Sequence, residues 1–199
     1  MNSFPMWMGL LAGVPTIMAY VRLAKILNKP STTIRPNLAS WLPWLAVDAS
    51  VFAASIAQHV VTTMVVFGVF TLGTITVLII VIRKKAMMKF GLVDGASLVV
   101  SGLALVAWWL TGDAKLALYI NVVVVVVATI PSIINAWDKP ETQDLRVWSY
   151  FLAGGFINLF AVVEWDMKNG LVPVSVVVVQ AALVLATARD HFASRSTYM

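Results

Sequence analysis

The sequence predicts an all-α membrane protein with seven transmembrane helices. Of its 199 residues, 60% are hydrophobic and only 12% are charged, and the mean hydropathy is +0.90. These values are far from those of an average soluble domain. The chain contains seven apolar runs, each close to the roughly 20 residues that a helix needs to cross a bilayer. Basic residues fall on alternate connections between these runs, and little chain is left for a soluble domain.

Seven spans follow one another with short connections. They are predicted at residues 6–26, 37–57, 60–82, 91–111, 116–136, 146–165 and 171–188. The fifth and seventh contain long valine tracts, which in water would suggest buried strands. Their length and their lack of turn residues favour helices in lipid. No basic residue precedes the first run, so we expect it to stay in the mature protein rather than to act as a cleaved signal peptide.

Lysine and arginine residues predict the orientation of these helices. Twelve of the 14 lie on one set of connections, and only Lys115 and Lys168 lie on the other. The twelve are Arg22, Lys25, Lys29, Arg35, Arg83, Lys84, Lys85, Lys89, Lys139, Arg146, Arg189 and Arg195. The positive-inside rule makes their side cytoplasmic, with the N-terminus outside and the C-terminus inside. The clusters are explained as topology signals and lipid-headgroup contacts, and the net charge of +5 therefore does not indicate nucleic acid.

Two similar loops indicate an internal repeat. Asn28–Ala46 and Asp138–Ala153 both contain Lys-Pro, a Trp at the start of the next helix and Leu-Ala one turn later. Each loop joins the first two helices of a three-helix group, and one helix separates the groups, which makes the repeat parallel. We expect a first three-helix bundle at 1–85, a linker transmembrane helix at 86–113 and a second three-helix bundle at 114–199.

The second of these loops resembles a known motif. The stretch PSIINAWDKPETQDLRVWSYFLAGGFINL is similar to a PQ-loop motif of the SWEET, SemiSWEET and PQ-loop transporter superfamily. Pro131 takes the motif's proline, Lys139 its loop lysine, Thr142 its hydroxyl residue and Asn158 a polar position in the next helix. The resemblance implies two three-helix bundles around a linker helix, an external N-terminus and transport by alternating access.

Several polar residues are predicted near the bilayer midplane. At a rise of about 1.5 Å per residue, these are Pro15, Asp48, Thr71, Thr74 and Gln180. Sugar-transporting members of the resembling family have Asn on the third helix of each bundle, where this chain has Thr71, Thr74 and Gln180. The small residues Gly73, Gly154 and Gly155 lie at similar depth, where they allow close helix approach or leave room for a ligand.

Three tryptophans enter the membrane near its cytoplasmic side. Trp41 and Trp148 are expected to be interfacial anchors. Trp44 lies deeper and is a candidate to stack on a substrate. Asn158 lies about one helical turn outward of the midplane, and we include it with Trp44 among the substrate-binding candidates.

Asp48 is the most informative single residue. A carboxylate at the centre of a membrane helix costs about 2.5–3.5 kcal/mol on insertion scales, so it should face a cavity or a partner. One interpretation is a substrate-binding or proton-coupling group. The other is a protonated acid that is hydrogen-bonded to a neighbouring hydroxyl.

Two prolines are candidate hinges. Pro15 and Pro131 interrupt the first and fifth apolar runs, and each removes one backbone hydrogen bond from its helix. Membrane helices tolerate this where a neighbour or a cavity satisfies the freed carbonyl. Pro131 with Asn158 indicates either a binding site or a structural kink with a buried interhelical hydrogen bond.

Other classes of protein fit the sequence poorly. The absence of cysteine excludes disulfides and thiolate chemistry, and His59 has no partners at ligand spacing, so no metal or other cofactor is expected. An intramembrane protease would need a Ser–His pair or two aspartates at one depth, but Asp48 and Asp94 differ in depth. A retinal protein would need a lysine in the seventh helix, which has none. We therefore expect no enzymatic activity.

These observations predict a transporter for a small polar solute, such as a sugar or a similar metabolite, by alternating access, with or without proton coupling. Its partners would be the solute and the lipid bilayer, and a second copy is not required because one chain contains both bundles. The short loops favour a prokaryotic inner membrane. The alternative is a seven-helix receptor or scaffold on the same fold without transport, because fold does not determine function.

Overall fold

The fold is all-helical over the residues that the computed structural model describes, which are 4–57, 61–86, 90–112, 114–165 and 167–196. Within those ranges the chain forms seven α-helices and one short 3-10 turn at Pro140–Thr142, and no strand. The helices are α1 (Phe4–Leu27), α2 (Leu38–Ala57), α3 (Val61–Lys84), α4 (Leu92–Thr111), α5 (Ala114–Asp138), α6 (Leu145–Leu159) and α7 (Met167–Ser196). The all-α class predicted from the sequence is confirmed.

Five helices of the described chain are long and apolar enough to cross a membrane. Their apolar segments are Met6–Leu27, Met64–Lys84, Leu92–Thr111, Tyr119–Asp138 and Gly170–Arg189. Helix α2 has a shorter apolar segment, Leu38–Ala53. Helix α6 has 15 residues and is about 22 Å long, shorter than the roughly 30 Å of a bilayer core. The composition of these helices is compatible with a membrane location.

The ends of α6 and α7 differ from the predicted spans. Helix α6 ends at Leu159, before the predicted end at residue 165, because the chain turns there. The amide of Phe160 donates to the carbonyl of Ile157, and that of Val162 donates to Leu159. Helix α7 runs over Met167–Ser196 and exceeds the predicted 171–188 at both ends.

The helices pair in the same order in the two halves of the chain. We call α1–α3 the first triplet and α5–α7 the second triplet. In the first triplet α3 packs against both α1 and α2, and in the second α7 packs against both α5 and α6. Between the triplets, α1 packs against α6 and α2 packs against α5. Helix α4 packs against α5 and α2.

Large apolar side chains occupy both the centre and the outside of the molecule. The main core cluster contains Tyr20, Trp41 and Leu183, and so joins residues of both triplets. Leu72 and Trp109 are 67% and 80% exposed. Such exposure would be unfavourable in water but suits a surface that contacts lipid, where apolar side chains gain nothing by burial.

Glycines allow the helices to approach closely. A Cβ atom on Gly154 of α6 would clash with the hydroxyl of Thr16 and would lie 3.0 Å from the carbonyl oxygen of Ala12, both on α1. Similarly, Cβ atoms on Gly73 and Gly155 would clash with the side chains of Tyr20 and Gln180. The sequence left open whether these glycines allow close helix approach or leave room for a ligand. In the structure they allow close approach of the helices.

Candidate functional site

A cavity lies where the two triplets meet. It measures about 70 Å³, counted as the space open to the centre of a water molecule. One buried water needs about 10–15 Å³ by this measure, so the cavity has room for several waters or for a small solute. Its lining comes from six helices, all except α4: Tyr20, Trp41, Trp44, Asp48, Phe67, Phe70, Thr74, Val125, Trp148, Phe151, Val176, Val179, Gln180 and Leu183.

Aromatic rings form most of the wall on the side of α1, α2, α3 and α6. Tyr20 and Phe151 meet edge to face with ring centroids 4.9 Å apart. The ring centroids of Trp44 and Trp148 are 6.2 Å apart, again edge to face. Phe70 stacks against Phe151 at 6.2 Å. Edge-to-face and offset arrangements are the favoured geometries of aromatic pairs, so the wall is supported by its own ring contacts.

Two hydroxyl groups in this wall are bonded to each other. The hydroxyls of Tyr20 and Thr74 are 2.9 Å apart, and the Tyr20 hydroxyl also donates to the backbone carbonyl of Phe70 at 3.2 Å. These hydrogen bonds require a glycine at position 73, because the ring of Tyr20 occupies the space that a Cβ atom on residue 73 would take. The hydroxyls therefore help to join α1 to α3 and are partly occupied within the protein.

Asp48 and Gln180 form fewer contacts within the protein than these two hydroxyl groups do. No residue of the described chain forms a hydrogen bond or ion pair with the Asp48 carboxylate, and none of the residues lining the cavity is basic. The Gln180 side-chain oxygen is buried and also lacks a hydrogen-bond partner in the described part of the chain. The cavity thus contains one carboxylate and one amide that are free to bind a ligand.

Four of the six side chains predicted from the sequence as substrate-binding meet in this cavity: Trp44, Asp48, Thr74 and Gln180. The other two do not line it. Thr71 is buried in α3, and its hydroxyl has no hydrogen-bond partner within the described residues. Asn158 is half-buried near the end of α6, where its backbone carbonyl accepts from Phe160.

Aromatic residues are the part of the site that sequence reasoning missed. Trp41 and Trp148 were expected at the lipid interface, but they are only 3% and 6% exposed and line the cavity. Their burial contradicts an anchoring role. Tyr20, Phe67 and Phe151 were not singled out, because nothing in an apolar run distinguishes an inward from a lipid-facing ring.

The two candidate hinge prolines lie inside helices α1 and α5. A proline cannot donate to the carbonyl four residues before it, which for Pro131 is that of Val127. The hydroxyl of Ser97 on α4 donates to this carbonyl at 2.9 Å. For Pro15 the corresponding carbonyl is that of Leu11, and no side chain of the described residues donates to it.

An ion pair joins the two triplets on one side of the cavity. We call this end of the molecule, where the loops 28–37 and 139–144 lie, the basic end. Arg22 of α1 donates from Nε and Nη2 to the two carboxylate oxygens of Asp144, at 2.8 and 2.7 Å. Asp144 is also the N-cap of α6 and accepts from the amide of Val147 at 2.9 Å.

The electrostatics of Asp144 agree with this geometry. Partial burial tends to raise the pKa of its carboxyl group, but the hydrogen bonds from Arg22 and from backbone amides outweigh that effect and hold the pKa below its ordinary value. Two-point contact with a guanidinium is the strongest form of such pairing. The carboxylate therefore stays ionised and bound to Arg22 at neutral pH.

Further contacts join the two triplets at the basic end. The backbone amide of Arg35 donates to the backbone carbonyl of Thr142 at 3.0 Å. The hydroxyl of Thr33 donates to the backbone carbonyl of Glu141 at 2.9 Å. The two loops that are similar in sequence therefore contact each other. Trp41 and Trp148 separate the cavity from a small pocket beneath it that Asp144 also lines.

Asp94 lies about one helical turn inside the predicted fourth span, so the sequence alone suggests that the nearby basic residues satisfy its charge. In the structure its carboxylate instead accepts from the side-chain amide of Asn37 at 2.7 Å and from the backbone amide of Gly91 at 2.6 Å. The contact joins the start of α4 to the start of α2. His59 lies outside the described residues.

No protein-family model, no curated protein and no solved structure matches the chain. The resemblance to the SWEET and PQ-loop superfamily therefore stays a prediction from the motif around Pro131.

Proposed function

We propose that the protein is a membrane transporter that moves a small solute by alternating access between the two triplets. The observation that carries this proposal is the cavity. Both triplets contribute polar side chains to it, Asp48 and Thr74 from the first and Gln180 from the second. A site between two units that can rock against each other is the arrangement that alternating access requires.

The matching helix order supports the repeat that this mechanism uses. In both triplets the third helix packs between the other two. The contacts between triplets are also reciprocal, because the first helix of each packs against the second helix of the other. Seven spans arranged as two parallel bundles with α4 as a linker account for this pattern.

The surroundings of the two prolines support a role as hinges. A hydroxyl residue follows each of them, and both hydroxyl residues lie on the contact between triplets. Thr16 packs against Gly154 of α6, and the hydroxyl of Ser132 donates to that of Ser40 on α2 at 2.8 Å. Bending at Pro15 or Pro131 would therefore move one triplet relative to the other.

The ion pair at the basic end would then act as a gate. Arg22 and Asp144 belong to different triplets, so the ion pair must break when the triplets separate at this end. With the N-terminus outside, as the basic residues predict, this end faces the cytoplasm. A cell membrane, of the prokaryotic inner type, is the location that we propose.

The alternative is a receptor or scaffold in which the same cavity never changes sides. The absence of cysteine allows a test that does not require the solute to be known. A single cysteine is placed in the cavity wall as Val179→Cys, and another on the lipid-facing surface as Leu72→Cys. Each variant is reconstituted in liposomes in one orientation and treated with a membrane-impermeant thiol reagent from one side at a time.

A transporter predicts that the cysteine at 179 reacts from both sides, because the cavity opens to each in turn. The cysteine at 72 should react from neither side and is the control for reaction of the reagent within the lipid. Reaction at 179 from one side alone would favour a receptor or scaffold and would contradict the proposal.

A further inference from the structure

The geometry points to a small organic cation, a quaternary or protonated amine, as the solute that this cavity binds. The inference rests on the proposed function and deepens it by naming the substrate class. Asp48 would supply the counter-charge, and the rings of Trp44, Tyr20 and their neighbours would supply the surface that surrounds the cationic group.

The carboxylate of Asp48 requires a positive counter-charge. Ionisable residues inside a membrane almost always pair with each other or with backbone groups, because an isolated charge is costly there. Asp48 has no such partner among the described residues, and none of the described side chains that line the cavity is basic. The missing positive charge must then come from a proton or from the ligand.

The walls of the cavity are largely aromatic. Seven of the 14 residues that line the cavity are aromatic. The face of an aromatic ring carries negative charge density, and it attracts a cation most strongly where water is excluded. A proton on Asp48 would neutralise the carboxylate but would make no use of this property of the walls. Cages of aromatic rings are the arrangement by which proteins recognise quaternary ammonium groups.

Two other ligand classes fit less well. A metal cation such as Na⁺ needs several oxygen ligands, but the Tyr20 and Thr74 hydroxyls are bonded to each other, which leaves few free oxygens beside Asp48. A sugar can stack on tryptophan, but each of its hydroxyls needs a hydrogen-bond partner. Gln180 and Asp48 are too few for that purpose. The aromatic rings that line the cavity suit a cation better than either ligand.

The test compares ligands that differ in charge alone. Choline and dimethylbutanol, in which a carbon replaces the charged nitrogen, have nearly the same shape. Binding of each to the purified, detergent-solubilised protein is measured by isothermal titration calorimetry, with glucose as the sugar probe. We expect choline to bind at least about tenfold more tightly than dimethylbutanol, a difference of about 1.4 kcal/mol.

A matched pair of variants identifies the carboxylate that is responsible. Asp48→Asn should remove the preference for choline over dimethylbutanol. Asp94→Asn makes the same chemical change at the carboxylate that is bonded to Asn37 outside the cavity, and it should keep the preference. Circular dichroism checks the helix content of both. Trp44→Leu gives a second probe of the site and should weaken choline binding, whereas Trp44→Phe, which keeps a ring, should weaken it less.

The outcomes separate this inference from the proposed function. Equal binding of choline and dimethylbutanol, tighter binding of glucose, or a preference that survives Asp48→Asn in a folded protein would each overturn the assignment of a cation. Two-sided labelling of the cysteine at 179 would still support a transporter in that case. Choline binding with one-sided labelling would instead support the ligand class and overturn transport.

Discussion

The two triplets share a framework but differ in what they bring to the cavity. In each, the third helix packs between the first and the second, and a proline followed by a hydroxyl residue lies in the first helix. Trp41 and Trp148 are each the fourth residue of their helix and both line the cavity. The framework is therefore duplicated, down to one aromatic side chain of the site.

The charge is not duplicated. Asp48 is the eleventh residue of α2, and the eleventh residue of α6 is Gly155. That glycine leaves the space that Gln180 occupies. One triplet thus contributes a carboxylate where the other contributes an amide reached from the neighbouring helix. In the transporter that we propose, the shared framework would support movement, and the positions that differ would determine which solute binds.

The helix caps show the same division. Asn37 precedes α2 and Asp144 precedes α6, and each side chain accepts a backbone amide of its own helix. Asn37 is neutral and bonds to Asp94 of α4, whereas Asp144 is charged and pairs with Arg22 of the other triplet. Only the charged cap connects the two triplets.

The largest effect is expected where the triplets are closest. Gly154→Val would place a branched side chain against Thr16 and the Ala12 carbonyl. Overpacking of this kind typically lowers the free energy of unfolding by about 1–3 kcal/mol. We expect a clear fall in the thermal unfolding temperature in detergent. Gly102→Ala on α4, where a Cβ would contact nothing within 4 Å, is the control and should unfold at the wild-type temperature or above it. An unchanged unfolding temperature for Gly154→Val would show that α1 and α6 do not pack as described.

A smaller effect on stability is expected from Asp144→Asn, which gives α6 an asparagine cap like the one that precedes α2. Asp144→Asn keeps the cap of α6 but loses the ion pair with Arg22, at a cost of about 1 kcal/mol because both side chains are partly exposed. The pKa of Asp144 lies below its ordinary value in the folded protein. Its stabilising contribution is therefore present above the ordinary aspartate value of about 3.9 and is lost as the pH falls through the folded-state pKa.

Thermal unfolding of wild type and Asp144→Asn over a range of pH checks this prediction. The two proteins should differ at neutral pH and converge in acid. A difference that stays constant as the pH falls would mean that the ion pair does not stabilise the fold.

The smallest effect on stability is expected from Ser97→Ala, and the size of this effect should depend on whether residue 131 is proline. Ser97→Ala removes the hydrogen bond to the Val127 carbonyl, worth about 0.6 kcal/mol in a membrane protein. Pro131→Ala restores a backbone donor to the same carbonyl, so the loss should shrink when both changes are combined. Pro15→Ala with Ser97→Ala is the control pair and should be additive. Additive effects in both pairs would show that Ser97 does not compensate for Pro131.

The same proline variants test the hinges. Pro15→Ala and Pro131→Ala should remain folded but should slow the opening of the cavity at the basic end, which is measured as slower labelling of the cysteine at 179 from that side of the membrane. Labelling at the wild-type rate in both variants would leave the prolines as packing features.

The sequence predicted the helices well and the site in part. Length and hydropathy are enough to predict membrane helices, because the bilayer sets the length of each span. Polar residues such as Asp48 and Gln180 stand out in apolar runs, so their convergence could be expected. The inward orientation of the Tyr20 and Phe151 rings could not be predicted, because aromatic side chains pack equally well against lipid. The pairing of Arg22 with Asp144 could not be predicted either, since the positive-inside rule already explains a basic residue near a helix end.

The central claim is that the two triplets move relative to each other, and distances between spin labels test it most directly. Lys25 and Arg146 are exposed on α1 and α6 at the basic end, and Met6 and Phe160 are exposed near the opposite ends of the same helices. Because the chain has no cysteine, each pair can be labelled through two introduced thiols and measured by double electron–electron resonance. With Asp144→Asn added to break the ion pair, the account predicts longer distances at the basic end together with shorter ones at the opposite end. Single, unchanged distributions for both pairs would contradict it.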